Sequence, residues 1–155
     1  MSTNQSPSSA ATWTAVIPVK AWAQAKSRLE MAEDDRTEFA RAVSLDTLDA
    51  VAASRLVARI LVVTSEPQLA EATVSLPSAV VLHESPGESL DPLNDAIRLA
   101  RDWAITHAPT SPIVVIPADL PALTTASLEA ALDQLAWFDR THVPDHRGTG
   151  TTLSA

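Results

Sequence analysis

The side chains best placed for chemistry begin with Lys20, Lys26 and Arg28. The chain has two lysines against nine arginines, and both lysines fall in this stretch of a protein with formal charge −8. The cations follow an apolar, β-like run from Thr14 to Val19. Open α/β sheets take ligands beyond the carboxyl ends of their strands, so a cationic loop there suits an anion such as a triphosphate. Arginine can grip two oxygens with its fork, and lysine brings a mobile point charge. The competing reading is an ordinary solvated loop.

Asp119 is the matching carboxylate. It follows the aliphatic run Ile113-Val-Val-Ile116 within Pro117-Ala-Asp-Leu-Pro121, which puts it at the same kind of strand end. There it could hold Mg²⁺ against phosphate oxygens, since Mg²⁺ often takes one or two carboxylates and completes its shell with substrate and water. Alternatively it is a turn residue. Arg147-Gly-Thr-Gly-Thr151 holds two of the three glycines; its backbone amides could approach an anion closely, with threonine hydroxyls as further donors. A plain glycine turn between strands is the alternative. Asn94, in Ser89-Leu-Asp-Pro-Leu-Asn94, could read a base edge with its paired donor and acceptor, or simply start a helix. His142 and His146 are four apart, but Pro144 between them breaks the helix that a zinc pair would need. The sequence contains no Walker-type glycine loop, dinucleotide fingerprint or Gly-x-Ser-x-Gly elbow.

The elements that must position these residues alternate. Strands are expected at Thr14–Val19, Ile60–Thr64, Ala79–Leu82 and Ile113–Ile116, with a further extended piece at Thr141–Val143. A helix capped by Asp34 or Asp35 runs to about Ser54, with Phe39, Val43, Leu48, Val51 and Ala52 inward. Pro67 starts a short helix to about Val74. Asp91 caps a helix with Pro92 at its first position, running to about His107 with Leu93, Ile97, Ala100 and Ala104 inward. Thr124 or Thr125 caps another, to about Phe138, with Leu128, Ala131, Leu132 and Leu135 inward. Strand–helix alternation with aliphatic strands predicts an α/β fold, a mostly parallel sheet with helices on both faces.

Composition narrows the function. At 155 residues and 46% apolar, one domain with a sizeable core is expected. The acidic balance argues against nucleic acid or an anionic membrane as partner. There is no cysteine, so no disulfide framework and no thiolate nucleophile. No apolar run approaches a membrane span. Residues 1–12 read as a disordered tail without the pattern of a signal peptide, which leaves 13–155 as the domain and the cytoplasm as its location. Thr152-Leu-Ser-Ala155 looks like a strand just beginning, so the domain is expected to be incomplete at its C-terminus.

Ile17-Pro-Val-Lys20 with Lys26-Ser-Arg-Leu29, Asp91-Pro-Leu-Asn94, Ala118-Asp-Leu-Pro-Ala-Leu123 and Arg147-Gly-Thr-Gly-Thr151, taken in order, resemble the 2-phospho-L-lactate guanylyltransferase family of coenzyme F420 biosynthesis. Its bacterial members include phosphoenolpyruvate guanylyltransferases. The resemblance implies a Rossmann-like nucleotidyltransferase fold of the GT-A type. It also implies the reaction, in which the phosphate of phosphoenolpyruvate or 2-phospho-L-lactate attacks the α-phosphorus of GTP and pyrophosphate leaves. Carried over by position, Lys20, Lys26 and Arg28 would hold the GTP phosphates and Asn94 would lie near the guanosine. Asp119 would ligate Mg²⁺, and Thr151 would contact the small phosphorylated acid. Family members continue further, with another metal-binding aspartate that would lie beyond residue 155. The partner expectations are GTP, the phosphorylated acid and a second copy in a homodimer.

The chemistry is self-consistent, because a phosphate oxygen is an ionised nucleophile at neutral pH and needs no strong base. Alignment and neutralisation of charge at phosphorus are then the main demands. Two alternatives are another GT-A-like nucleotidyltransferase and a non-catalytic nucleotide-binding domain. The absence of glycine between Val19 and Leu29 counts against the molybdenum-cofactor and sugar-phosphate types.

Overall fold

The computed structural model describes residues 12–22, 32–84, 90–138, 140, 142–144 and 151–154. Lys26, Arg28, the tail before Thr12 and 145–150 lie outside the described residues. The elements in chain order are β1 (Trp13–Val19), α1 (Glu33–Ala52), β2 (Val57–Thr64), α2 (Pro67–Thr73), β3 (Ala79–His83), α3 (Pro92–His107), β4 (Ile113–Val115), α4 (Thr125–Leu135), β5 (His142–Pro144) and β6 (Thr151–Ser154). They form one sheet in the order β3-β2-β1-β4-β6-β5. The first four strands in that order are parallel, while β6 runs antiparallel to both β4 and β5.

β1 is buried along nearly all its length because it pairs on both edges and is covered on both faces. Its alternate residues go to different cores. Ala15, Ile17 and Val19, with Ile60 and Val62 of β2, meet Leu48 and Val51 of α1, Leu69 of α2 and Leu128 and Leu132 of α4. Val16, with Leu61 and Val63, meets Ala96, Ala100 and Ala104 of α3. Helices therefore cover both faces, as the aliphatic strand runs predict. Pro18 is tolerated inside this central strand for a local reason. Val16 turns its carbonyl toward β4, accepting from the Ile116 N–H at 2.9 Å. Pro18 faces the same side two residues later, beyond the last Val16–Val115 pairing, so its missing N–H removes no ladder bond.

Helix starts follow the expected signals except at α1. Asp91 accepts from the Asn94 N–H with Pro92 next in line, Pro67 opens α2, and Thr124 forms a reciprocal capping box with Ser127. The cap of α1 is Ala32, without a side-chain bond, and Asp34 and Asp35 lie inside the first turn with Glu33. Their role is therefore to oppose the helix dipole and not to cap. Phe39 and Leu93, expected inward, are 40% and 51% exposed. In α1 the buried stripe instead takes Ala40, Val43, Ser44, Thr47, Leu48 and Val51. Ser44 and Thr47 can be buried because their hydroxyls donate back to the Ala40 and Val43 carbonyls at 2.7 and 2.9 Å. In α3 the contact stripe is the alanine row, which lets the helix approach a sheet surface already filled by valine and leucine. α4 stops at Leu135, short of the expected Phe138.

The alanine row generates a test. Ala100 is fully buried between α3 and the sheet, so Ala100→Leu should overpack that layer and cost about 1–3 kcal/mol. Urea unfolding monitored by circular dichroism measures it, and an unchanged midpoint would show that the layer has slack.

Candidate functional site

The sheet order contains a reversal. From β1 the chain steps outward through α1 to β2 and through α2 to β3, with Leu48 and Leu69 of these helices in one core. α3 then returns across the opposite face to β4, on the other side of β1. In open α/β sheets, ligands bind beyond the carboxyl ends of the strands next to such a reversal. Here β1 and β4 are the neighbours, the helices that follow them, α1 and α4, pack together on one face, and the residues just beyond the two strand ends include Lys20 and Asp119.

Both positions are exposed on anchored backbone. After Lys20 the chain is tied down at Trp22, which is 3% exposed. Its N–H donates to Glu66 Oε2 at 3.3 Å, and the Arg41 guanidinium lies 6.0 Å from its ring centre. Glu66 in turn caps α2, accepting from the Gln68 N–H, while its own N–H donates to Thr64 Oγ1 at 2.9 Å. Asp119 is held by its neighbours. The Leu120 N–H donates to Thr47 Oγ1 at 3.3 Å, and the Leu123 N–H donates to the Leu120 carbonyl at 3.0 Å. Thr47 thus ties the turn carrying Asp119 to α1. Nothing but its place on a buried stripe marks Thr47 in the sequence.

Asn94 and Thr151 reach the same edge by different routes. α3 begins after the carboxyl end of β3, and Asn94 is exposed in its first turn. Its side-chain Nδ2 donates to Asp91 Oδ2, and its backbone N–H donates to Asp91 Oδ1. The helix-start reading of Asn94 is therefore realised, while among the described residues no donor reaches its side-chain oxygen. β6 runs against β4 with Ser154 opposite Val115. Thr151, the first residue of β6, consequently lies past the carboxyl end of β4, on the Asp119 side of the sheet. The fold brings Lys20, Asn94, Asp119 and the Thr151 backbone to one edge; Lys26 and Arg28 fall outside the described residues. Among the described residues no cluster of three metal-ligating side chains occurs.

Glu84 is the site residue that the sequence reading missed. It follows β3 directly, and its N–H donates to the Thr64 carbonyl at 3.3 Å, extending the ladder past the strand. Its half-buried carboxyl is pushed above its ordinary value, chiefly by burial, with Lys20 next and pulling the other way and Asp95 adding a smaller push upward. Among the described residues no hydrogen bond or ion pair reaches that carboxylate. The available signal was an acid directly after an aliphatic run, Ala79-Val-Val-Leu-His-Glu84, the same signal that singles out Asp119. Together the edge offers a cation beyond β1, a carboxylate beyond β4 and acceptors beside α3. That set suits a molecule carrying phosphates at one end and hydrogen-bond donors at the other.

A carboxyl group whose pKa is raised by folding favours the folded state below its ordinary value of 4.5. This contribution is lost as pH rises through the folded value. Glu84→Gln should accordingly raise the thermal midpoint at neutral pH and leave it unchanged well below pH 4.5. Thermal melts of both proteins across pH check this; a lower midpoint at neutral pH would show that the carboxylate is stabilising.

Known proteins bear on this site. The family model described as guanylyl transferase CofC like matches residues 13–154. A phosphoenolpyruvate guanylyltransferase of Streptosporangium roseum is 39% identical over 142 residues, covering 91% of this chain and 62% of that protein. One from Streptomyces coelicolor is 41% identical over 145 residues, covering 91% and 66%. The chain thus spans between 62% and 66% of the length of these two relatives. Among solved structures, a Desulfovibrio desulfuricans G20 protein assigned to the nucleotide-diphospho-sugar transferases superposes with a TM-score of 0.67 at 20% identity, over 91% of this chain and 61% of that one. A 4-diphosphocytidyl-2C-methyl-D-erythritol synthase of Anaerococcus prevotii gives 0.53 at 12% identity, over 89% and 61%. These structural likenesses show that the α/β fold is shared with those proteins. The match over nearly the whole chain, together with relatives near 40% identity, places this chain in the guanylyl transferase CofC-like family.

Proposed function

We propose that this protein transfers the guanylyl group of GTP to phosphoenolpyruvate, the acid in its relatives' names, with 2-phospho-L-lactate as an acceptor of the same chemistry. A phosphate oxygen of the acid forms a bond to the α-phosphorus of GTP. The bond from that phosphorus to the β-phosphate bridging oxygen breaks, and pyrophosphate leaves with the electron pair. The guanosine diphosphate ester so made is an activated intermediate, in keeping with a step of coenzyme F420 biosynthesis in the cytoplasm. The observation that carries this reading is the placement of Lys20 and Asp119 beyond adjacent strands at the sheet reversal.

The residues divide the work by charge. Lys20 holds phosphate oxygens of GTP and offsets charge that grows as pyrophosphate departs, with Lys26 and Arg28 assigned the same task from the sequence. Asp119 is an exposed carboxylate on a pinned turn, which fits a Mg²⁺ ion that completes its shell with substrate and water. When bound, Mg²⁺ would supply further neutralisation of phosphate charge. Asn94 lies on the nucleoside side, and Thr151 sits where the acid would enter. Thr47 acts through the backbone, by fixing the turn on which Asp119 stands.

Pyrophosphate release from GTP in the presence of Mg²⁺ and either acid is the direct assay. Release is expected with an acid and not without one, and no release with either acid would overturn the reading. Asp119→Ala should lower turnover about a hundredfold or more while the chain still folds, because its side chain is exposed and not part of the core. Wild-type turnover in that variant would remove Asp119 from the site. Lys20→Ala should raise the KM for GTP and lower kcat together, and unchanged kinetics would make Lys20 a solvated surface residue.

A further inference from the structure

We propose that Glu84 is the residue that selects guanine, its carboxylate accepting the N1–H and the 2-amino N–H of the base; this rests on the guanylyl-transfer reading above. The argument begins with position. If the triphosphate lies over the ends of β1 and β4, the rest of the nucleotide must extend across the sheet edge. β3 stands two strands from β1, a span of about 10 Å at the usual interstrand spacing. Ribose and base together cover that span, whereas ribose alone does not. Glu84 is the first residue beyond β3.

The second argument is which acid is available. The carboxylate beyond the intervening strand β2 belongs to Glu66, and both of its oxygens accept backbone N–H groups, from Trp22 and Gln68. Glu66 is thereby committed to holding the loop and capping α2. Glu84 has no such partner among the described residues. A half-buried, ionised carboxylate without donors is costly, and two donors from a ligand would offset that cost on binding. Burial raising the Glu84 carboxyl accords with this.

The third argument is chemical matching. An ionised carboxylate only accepts hydrogen bonds. Guanine presents two adjacent donors on its pairing edge, while adenine presents a donor beside an acceptor that would face the carboxylate with like polarity. The Asn94 side-chain oxygen, at the start of the helix that follows, adds another acceptor on the same side of the sheet edge. Both features favour a base rich in donors.

Isothermal titration of the 155-residue chain with GTP, inosine triphosphate and ATP in Mg²⁺ buffer tests the assignment. Inosine triphosphate lacks only the 2-amino group. Wild-type protein should prefer GTP to both competitors. In Glu84→Gln the GTP affinity should fall about tenfold or more, as expected for loss of a paired base contact, while ATP binding changes little and the GTP preference collapses. Glu84→Asp, which keeps the charge but withdraws it, should fall between the two. Variants that keep the wild-type GTP:ATP and GTP:inosine triphosphate ratios would overturn the role of Glu84 and leave guanylyl transfer standing. Wild-type protein with no preference for GTP would overturn both.

Discussion

Parallel pairing of β1 on both of its edges is the constraint on which the rest of the molecule depends. A strand held between β2 and β4 must be aliphatic on both faces, and Ala15, Val16 and Ile17 are all fully buried. Each parallel neighbour requires a crossover, and crossovers of one hand send α1 and α2 to one face and α3 to the other. The same geometry that fills two cores sets the carboxyl ends of β1 and β4 side by side. Lys20 and Asp119 are exposed there, just past the strand ends and before the chain enters α1 and α4 on one face.

The body of the protein and this edge treat polar groups differently. Inside, hydroxyls return to local carbonyls: Ser44 and Thr47 in α1, and Thr73 to the Leu69 carbonyl at 3.1 Å in α2. Glu129 of α4 accepts from Ser54 Oγ and the Arg55 N–H at 3.2 and 2.8 Å, tying α4 to the connection between α1 and β2. These bonds satisfy the groups that packing takes from water. At the edge, Glu84 is half-buried without a donor among the described residues, and its carboxyl is pushed up as a result. Sites often retain such tension, because the group is matched to a ligand and not to its own fold.

Much of the frame was legible in the sequence because its signals are local. Aliphatic runs marked β1 to β4, and Asp91-Pro92, Pro67 and Thr124 marked three helix starts. What was not legible depended on packing. Asp34 and Asp35 look like caps, yet the helix begins at Glu33, and Phe39 and Leu93 fit the apolar period but are exposed beside the buried stripes of α1 and α3. At the site, Lys20 and Asp119 could be read as strand-end residues, whereas their convergence needed the sheet order. Thr47 acts across 73 positions, and Glu66 reaches back 44 to Trp22; no spacing rule reveals contacts of that kind. Glu84 carried the same signal as Asp119 and differed only in lacking a known motif around it.

The placement of the nucleotide is the central claim, and a crystal structure of the protein with GTP bound addresses it most directly. The triphosphate is expected over the carboxyl ends of β1 and β4, beside Lys20 and Asp119, with the base reaching across β2 to Glu84 at the end of β3. A nucleotide bound at the amino ends of the strands, or one whose base turns away from β3 toward β6, would contradict it.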